Sequence, residues 1–162
     1  MSLVYLILGG NRGNRREIIA STIDLVTSKI GPKISASSLY ESESWGFSSE
    51  LFVNQVIAIK TIMSPEEILV ASQQIELQLG RIRNGKGYEA RTIDIDLLYY
   101  DSLVLKSPDL TIPHPRIADR RFVLVPLAEI APDFVDPLSG KTVIEILHDC
   151  TDPCKVWRLE EN

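Results

Sequence analysis

Residues 53–80 read VNQVIAIKTIMSPEEILVASQQIELQLG, and the two halves of this stretch obey different rules. Up to Ile62 the run is rich in β-branched residues, which fit a pleated, half-buried surface and predict a strand. Ser64-Pro65-Glu66-Glu67 then opens a helix. Ser64 can cap it, Pro65 suits the first helical position because no partner awaits its missing N–H there, and Glu67 can complete a capping box. That helix is predicted to run to about Gly80.

Working upstream, residues 3–8 form a short apolar run ended by Gly9-Gly10, a buried strand and a tight turn. Asn14 can cap a helix whose Ile19, Ile23, Val26 and Ile30 recur at spacings of four, three and four, and Gly31-Pro32 stops it. Ile34, Ala36, Ser38 and Tyr40 predict a strand, and residues 41–51 a loop. Downstream, residues 93–100 alternate as a strand, with residues 103–105 expected to return as its hairpin partner. Phe122 opens a further apolar stretch over residues 122–127, expected to be a strand. Thr142 and Glu145 suit a second capping box for a short helix to His148, and residues 156–159 predict a last strand. The order is strand, helix, two strands, helix, strand, then additions. This is the α+β, ferredoxin-like βαββαβ pattern, an antiparallel sheet with helices packed on one face and C-terminal additions. No repeat or linker divides the chain, so residues 1–162 are expected to form one domain.

Charge narrows the function. The formal net charge of −5 excludes a general nucleic-acid binder, which needs a positive face to displace counterions. Yet Arg81, Arg83, Lys86 and Arg91 face only Glu89 over eleven residues, and Arg116, Arg120 and Arg121 crowd the segment after His114. Two cationic clusters in an acidic protein suit a small polyanionic ligand. No apolar run approaches the roughly 18 to 20 residues of a membrane helix, and residues 1–8 lack a basic start and a cleavage site, so a cytoplasmic protein is expected. Cys150 and Cys154 are the two cysteines, too close for a bridge to stabilise much, and read as free thiols; with His148 they match no common zinc spacing.

The sharpest local signal is Arg91-Thr92-Ile93-Asp94-Ile95-Asp96-Leu97-Leu98. On a strand, Asp94 and Asp96 share a face at about 7 Å, twice the rise per residue. Paired carboxylates repel unless a cation lies between them, and hard oxygen ligands suit magnesium, which also binds phosphate oxygens. Two metals bridged by such a pair would span the phosphates of a nucleotide. No G-x-x-x-x-G-K-[ST] loop occurs, so side chains such as the arginines must hold those phosphates. Solvated acids on an edge strand and exposed arginines are the bland alternative.

The segments LGGNRG (residues 8–13), YESESWG (40–46), FVNQV (52–56), QQIELQLGRIR (73–83), ARTIDIDLL (90–98) and IPHPRIADRRFVLVPLAEIAP (112–132), in that order, resemble the 6-hydroxymethyl-7,8-dihydropterin pyrophosphokinase family over essentially the whole chain. The resemblance implies a diphosphotransferase that uses ATP and two Mg2+ ions, releases AMP, and belongs to folate biosynthesis. It assigns metal binding to Asp94 and Asp96, catalysis and phosphate contacts to Arg81, Arg83 and Arg91, and further ATP contacts to Gln73, Glu76, Thr111, His114 and Arg120. For 6-hydroxymethyl-7,8-dihydropterin it implies an amide contact from Asn54, stacking by Phe52 and Phe122, and backbone groups near Ser42 and Trp45. A monomer with no nucleic-acid or membrane partner is expected. The chain departs from the family in Pro115, where a tyrosine is common, in Tyr88, where a tryptophan is common, and in acids within residues 41–51, where prolines are common. The rival is a non-catalytic ferredoxin-like RNA-binding module that stacks bases on Phe52 and Phe122.

Overall fold

Strand β1 (Ser2–Gly10) is apolar at each position from Leu3 to Leu8, so it needs cover on both faces and takes an interior place in the sheet. In the computed structural model, residues 1–11, 13–43, 51–80 and 93–160 are described, together with the backbone of residues 82–83 and 89–90. After β1 come α1 (Arg15–Lys29), β2 (Lys33–Ala36), β3 (Tyr40–Ser42), β4 (Phe52–Thr61), α2 (Pro65–Gln78), the short β5 (Ile82–Arg83) and β6 (Glu89–Ala90), and β7 (Asp94–Tyr100). Then follow β8 (Leu105–Lys106), β9 (Thr111–Ile112), α3 (Arg121–Ile130), α4 (Val143–Asp149) and β10 (Val156–Arg158). The sheet runs β10-β3-β4-β1-β7, with β2 also on β4, and its pairings are antiparallel. With β2 and β3 as a broken second strand, this is the ferredoxin-like arrangement.

The helix signals act as the sequence indicates. Asn14 Oδ1 accepts from Glu17 N at 3.2 Å to start α1. Ser64 Oγ accepts from Glu67 N at 3.2 Å while Glu67 Oε1 accepts from Ser64 N at 3.0 Å, the reciprocal box that starts α2. Thr142 and Glu145 form the same box on α4.

Four expectations are corrected. Helices cover both faces of the sheet, not one. Val4, Leu6, Leu8, Ile57 and Ile59 pack beneath α1 and α2, whereas Tyr5, Ile7, Val56 and Ala58 pack beneath Val123, Leu124 and Leu127 of α3 and Val143 and Ile146 of α4. Phe122 therefore opens a helix rather than a strand. Val123, Leu124 and Leu127 share one helical face, and a short apolar run alone does not separate helix from strand. Finally, the segment expected as a hairpin partner of β7 leaves it: Leu105 and Lys106 pair with Ile112 and Thr111. The outer edge of β7 is satisfied otherwise, Ile95 N donating to Glu76 Oε2 at 2.9 Å and Leu98 O accepting from His114 N at 3.0 Å. The expected loop also contains β3 at its start.

Between Tyr5 and Leu6 the register of β1 against β7 shifts, so that Tyr5 faces Tyr99 while Leu6 faces Leu97. The extra residue turns Tyr99 onto the α3 face, where its ring packs at a tilt against Phe134, centroids 4.5 Å apart, and its hydroxyl donates to Asp136 Oδ2 at 2.6 Å. Asp136 Oδ1 also accepts from Leu138 N and Ser139 N. Burial, then Asp136, pushes the Tyr99 hydroxyl far above its ordinary value, so it keeps the proton that it donates to Asp136. Tyr99→Phe strips that donor from a buried carboxylate and is expected to lower stability by about 1–3 kcal/mol. Urea unfolding checks it, and a midpoint unchanged from wild type would refute it.

Candidate active site

Register across three strands builds the site. Asn54 of β4 and Asp94 of β7 both lie opposite Gly9 of β1, and Asp96 lies opposite Ile7. All point to the α3 face, since their neighbours Ile93, Ile95 and Leu97 are buried against the other layer. Asp94 is half-buried and Asp96 exposed. The row Asn54, Gly9, Asp94 spans two strand spacings, about 10 Å.

A cavity of about 190 Å³ opens over this row, and Ser42, Phe52, Asn54, Asp94, Asp96, His114, Arg120 and Phe122 all line it. Phe52 lies opposite Ser42 of β3, whereas Phe122 comes from the first turn of α3. The Arg120 guanidinium stands 5.6 Å from the Phe122 ring, a cation–π contact that ties the cationic segment to an aromatic wall. Asn54 is 6% exposed, and no described residue hydrogen-bonds its carboxamide.

A second cavity, of about 270 Å³, lies between α2 and the β8–β9 hairpin, lined by Ile68, Ser72, Leu110, Thr111 and Pro115 among others. Asp96 and His114 line both cavities. The His114 Nδ1 accepts from Arg116 N at 3.1 Å, which leaves Nε2 to carry the proton of the neutral ring. Burial lowers the His114 pKa below the ordinary histidine value; Asp96 opposes this, while Arg120 and Arg116 add to it. A neutral donor at the junction of two cavities is the result.

Two expected nucleotide contacts sit elsewhere. Glu76 is buried and turns its carboxylate to Ile95 N, the amide between the two aspartates, so it holds the edge of β7. Gln73 is exposed on α2 and lines neither cavity. Arg81, Arg91, Trp45 and Tyr88, and the side chain of Arg83, lie outside the described residues. The backbone of Arg83 pairs with Glu89 in the β5–β6 ladder. Ile7, Gly9, Glu43, Leu98 and Val123 also line the first cavity. For Gly9 the available signal was the Gly9-Gly10 pair at the end of an apolar strand, which reads as a turn until its neighbours are known.

The donor set fits magnesium. Among the described residues no group of three or more His, Cys, Asp and Glu side chains gathers to cage a metal. Two same-face carboxylates open to a cavity suit an ion that keeps its waters and takes ligand oxygens as well. The aromatic pair is less suited to an open RNA platform, because α3 covers the sheet face that Phe122 was expected to share. No helix among the described residues is long and apolar enough to cross a membrane.

Comparison with known proteins identifies the family. The sequence model of the 7,8-dihydro-6-hydroxymethylpterin-pyrophosphokinase family matches residues 5–132. The chain is 42% identical over 153 residues to the 2-amino-4-hydroxy-6-hydroxymethyldihydropteridine pyrophosphokinase of Synechocystis sp., across 93% of this chain and 76% of that protein. It is 39% identical over 136 residues to the enzyme of the same name from Porphyromonas gingivalis, across 82% of this chain and 92% of the relative. The crystal structure of wild-type Plasmodium falciparum HPPK-DHPS superposes with a TM-score of 0.73 at 17% identity, across 91% of this chain and 44% of that longer one, a likeness that speaks to the fold. With a family match over most of its length and relatives of this similarity, the chain belongs to the 7,8-dihydro-6-hydroxymethylpterin-pyrophosphokinase family.

Proposed function

We propose that the chain transfers the β,γ-diphosphate of ATP to the hydroxymethyl oxygen of 6-hydroxymethyl-7,8-dihydropterin and releases AMP, a step in tetrahydrofolate biosynthesis. One observation carries the reading: Asp96 and His114 form a wall common to two cavities. The first cavity offers two aromatic side chains and an amide to the pterin, and the second a cleft beside Thr111 to the nucleoside. A phosphate chain running from one to the other passes the aspartates.

In this reading Phe52 and Phe122 sandwich the pterin, Asn54 pairs with its hydrogen-bonding edge, and backbone groups near Ser42 and Trp45 contact it. His114 Nε2 donates to a phosphate oxygen. Arg81, Arg83, Arg91 and Arg120 neutralise the charge that develops as the bond from the β-phosphorus to the oxygen leaving with AMP breaks. Glu76 acts from α2 by fixing the strand that carries the acids. Asp94 and Asp96 would hold two Mg2+ ions, which when bound spread charge over the phosphate oxygens and acidify the attacking hydroxyl. The oxygen attacks in line with the leaving group, so positioning supplies much of the rate. Its proton goes to water, since metal-bound carboxylates are poor bases and His114 Nδ1 is already occupied by Arg116 N. The same reading has residues 1–162 act as one cytoplasmic domain, as a monomer.

Mixing the protein with ATP, magnesium and 6-hydroxymethyl-7,8-dihydropterin should yield AMP and the pterin diphosphate in equal amounts. AMP no higher than in a control without pterin would refute the activity. Asn54→Ala is expected to weaken pterin binding by about 10- to 100-fold, the loss of a buried amide's hydrogen bonds, and to leave ATP binding nearly unchanged. Calorimetry with each ligand separates the two, and an equal loss for ATP would move Asn54 out of the pterin slot.

A further inference from the structure

We infer that Gly9 is a positioning residue for substrate recognition: the side chain missing at this point of β1 is what lets the Asn54 carboxamide lie in its binding orientation. The inference rests on the reading that Asn54 meets the pterin.

Backbone conformation does not explain a glycine here. Gly13, Gly80 and Gly140 have positive φ, whereas Gly9 lies within β1, paired on both sides with Asn54 and Asp94. Such extended backbone is open to any side chain. Space explains it instead. A Cβ built on Gly9 would stand 2.0 Å from Asn54 Oδ1 and 3.0 Å from its Cγ, while the next contact, Val53 O at 3.4 Å, is ordinary. The amide therefore occupies the volume that any other residue at position 9 would fill.

Two further facts give this packing its weight. Asn54 is 6% exposed and lines the cavity, yet no described residue hydrogen-bonds its carboxamide, so neighbouring bulk rather than a polar partner sets the amide's direction. An amide recognises a ligand by where its donor and acceptor point, and turning it exchanges or misdirects them. The clash is also with the end of a side chain that can rotate, not with backbone. A methyl at position 9 is then accommodated by displacing the amide, so the fold survives and recognition does not.

The test is a double-mutant cycle of wild type, Gly9→Ala, Asn54→Ala and the double variant, with calorimetry of 6-hydroxymethyl-7,8-dihydropterin and of a magnesium-bound non-hydrolysable ATP analogue, and thermal unfolding of each. Gly9→Ala should weaken pterin binding by about tenfold or more and leave the nucleotide analogue within about twofold. Added to Asn54→Ala, it should cost less than about twofold further, because its effect passes through the amide. Normal pterin binding by Gly9→Ala, or an undiminished loss in the Asn54→Ala background, would overturn the inference while leaving the pterin site intact. Normal pterin binding by Asn54→Ala would instead remove the site reading and the inference with it. Should Gly9→Ala fail to fold, folding restored in the double variant would support the contact, and folding lost in both would overturn it.

Discussion

Asp94→Ala and Asp96→Ala are each expected to lower kcat by about a hundredfold or more, the scale at which loss of one charge-stabilising group is felt in a water-poor site. Both carboxylates rise from the same face of β7 into the cavity, and Asp96 also reaches the second cavity. Neither lies among the apolar residues of the core clusters, so neither change opens a void. Asp96 is exposed, so removing its charge relieves repulsion in the metal-free protein, and the melting temperature of Asp96→Ala should hold or rise. Steady-state rates at saturating magnesium, with circular dichroism as the check on folding, decide the matter. Near wild-type turnover in either variant would sink the metal assignment.

The second large effect is assigned to Arg83. Its backbone is paired with Glu89 in the β5–β6 ladder, in the cationic segment between α2 and the strand of the aspartates. Were this segment to close over both substrates, a guanidinium brought to the phosphates by closure would act mainly as AMP departs. Arg83→Ala should then lower kcat by about 10²- to 10³-fold. Ground-state ATP binding should weaken by no more than about threefold, because the contact forms fully in the closed complex. Pre-steady-state rates beside equilibrium nucleotide binding separate these quantities. Equal losses in both would make Arg83 an ordinary binding residue, and hydrogen exchange over residues 83–90 that is unchanged by the two ligands together would rule closure out.

What the sequence could reveal followed the range of the interaction concerned. Asn14 and the Ser64–Glu67 box act within one helical turn, and both helices begin where those residues indicate. Asp94 and Asp96 share a face because strand side chains alternate, a property of the strand alone. The placement of Phe122 required knowing which layer covers the second sheet face, and FVLVPL suits a strand or a helix equally well until α3 is seen over Tyr5 and Val56. Gly9 and Glu76 were still further from view. One owes its part to residues 45 and 85 positions away, and the other to a bond formed 19 positions along the chain. The roles of Arg81, Arg83 and Arg91 came from family resemblance, since charge clustering alone speaks of a polyanion and not of its identity.

The tail of the chain has a consequence of its own. The family match ends at residue 132, yet β10 lies beyond it and pairs with β3, while Asp152 accepts from Arg121 N at 2.9 Å and so holds the start of α3. A truncation at the family boundary would bare the hydrogen-bonding edge of β3 and the apolar flank of α3 that Val143 and Ile146 now cover. An unpaired strand beside uncovered hydrophobic surface is a template for association with other chains. Residues 133–160 thus carry the sheet's last strand and the cover of α3, and a domain cut by sequence similarity alone would discard both.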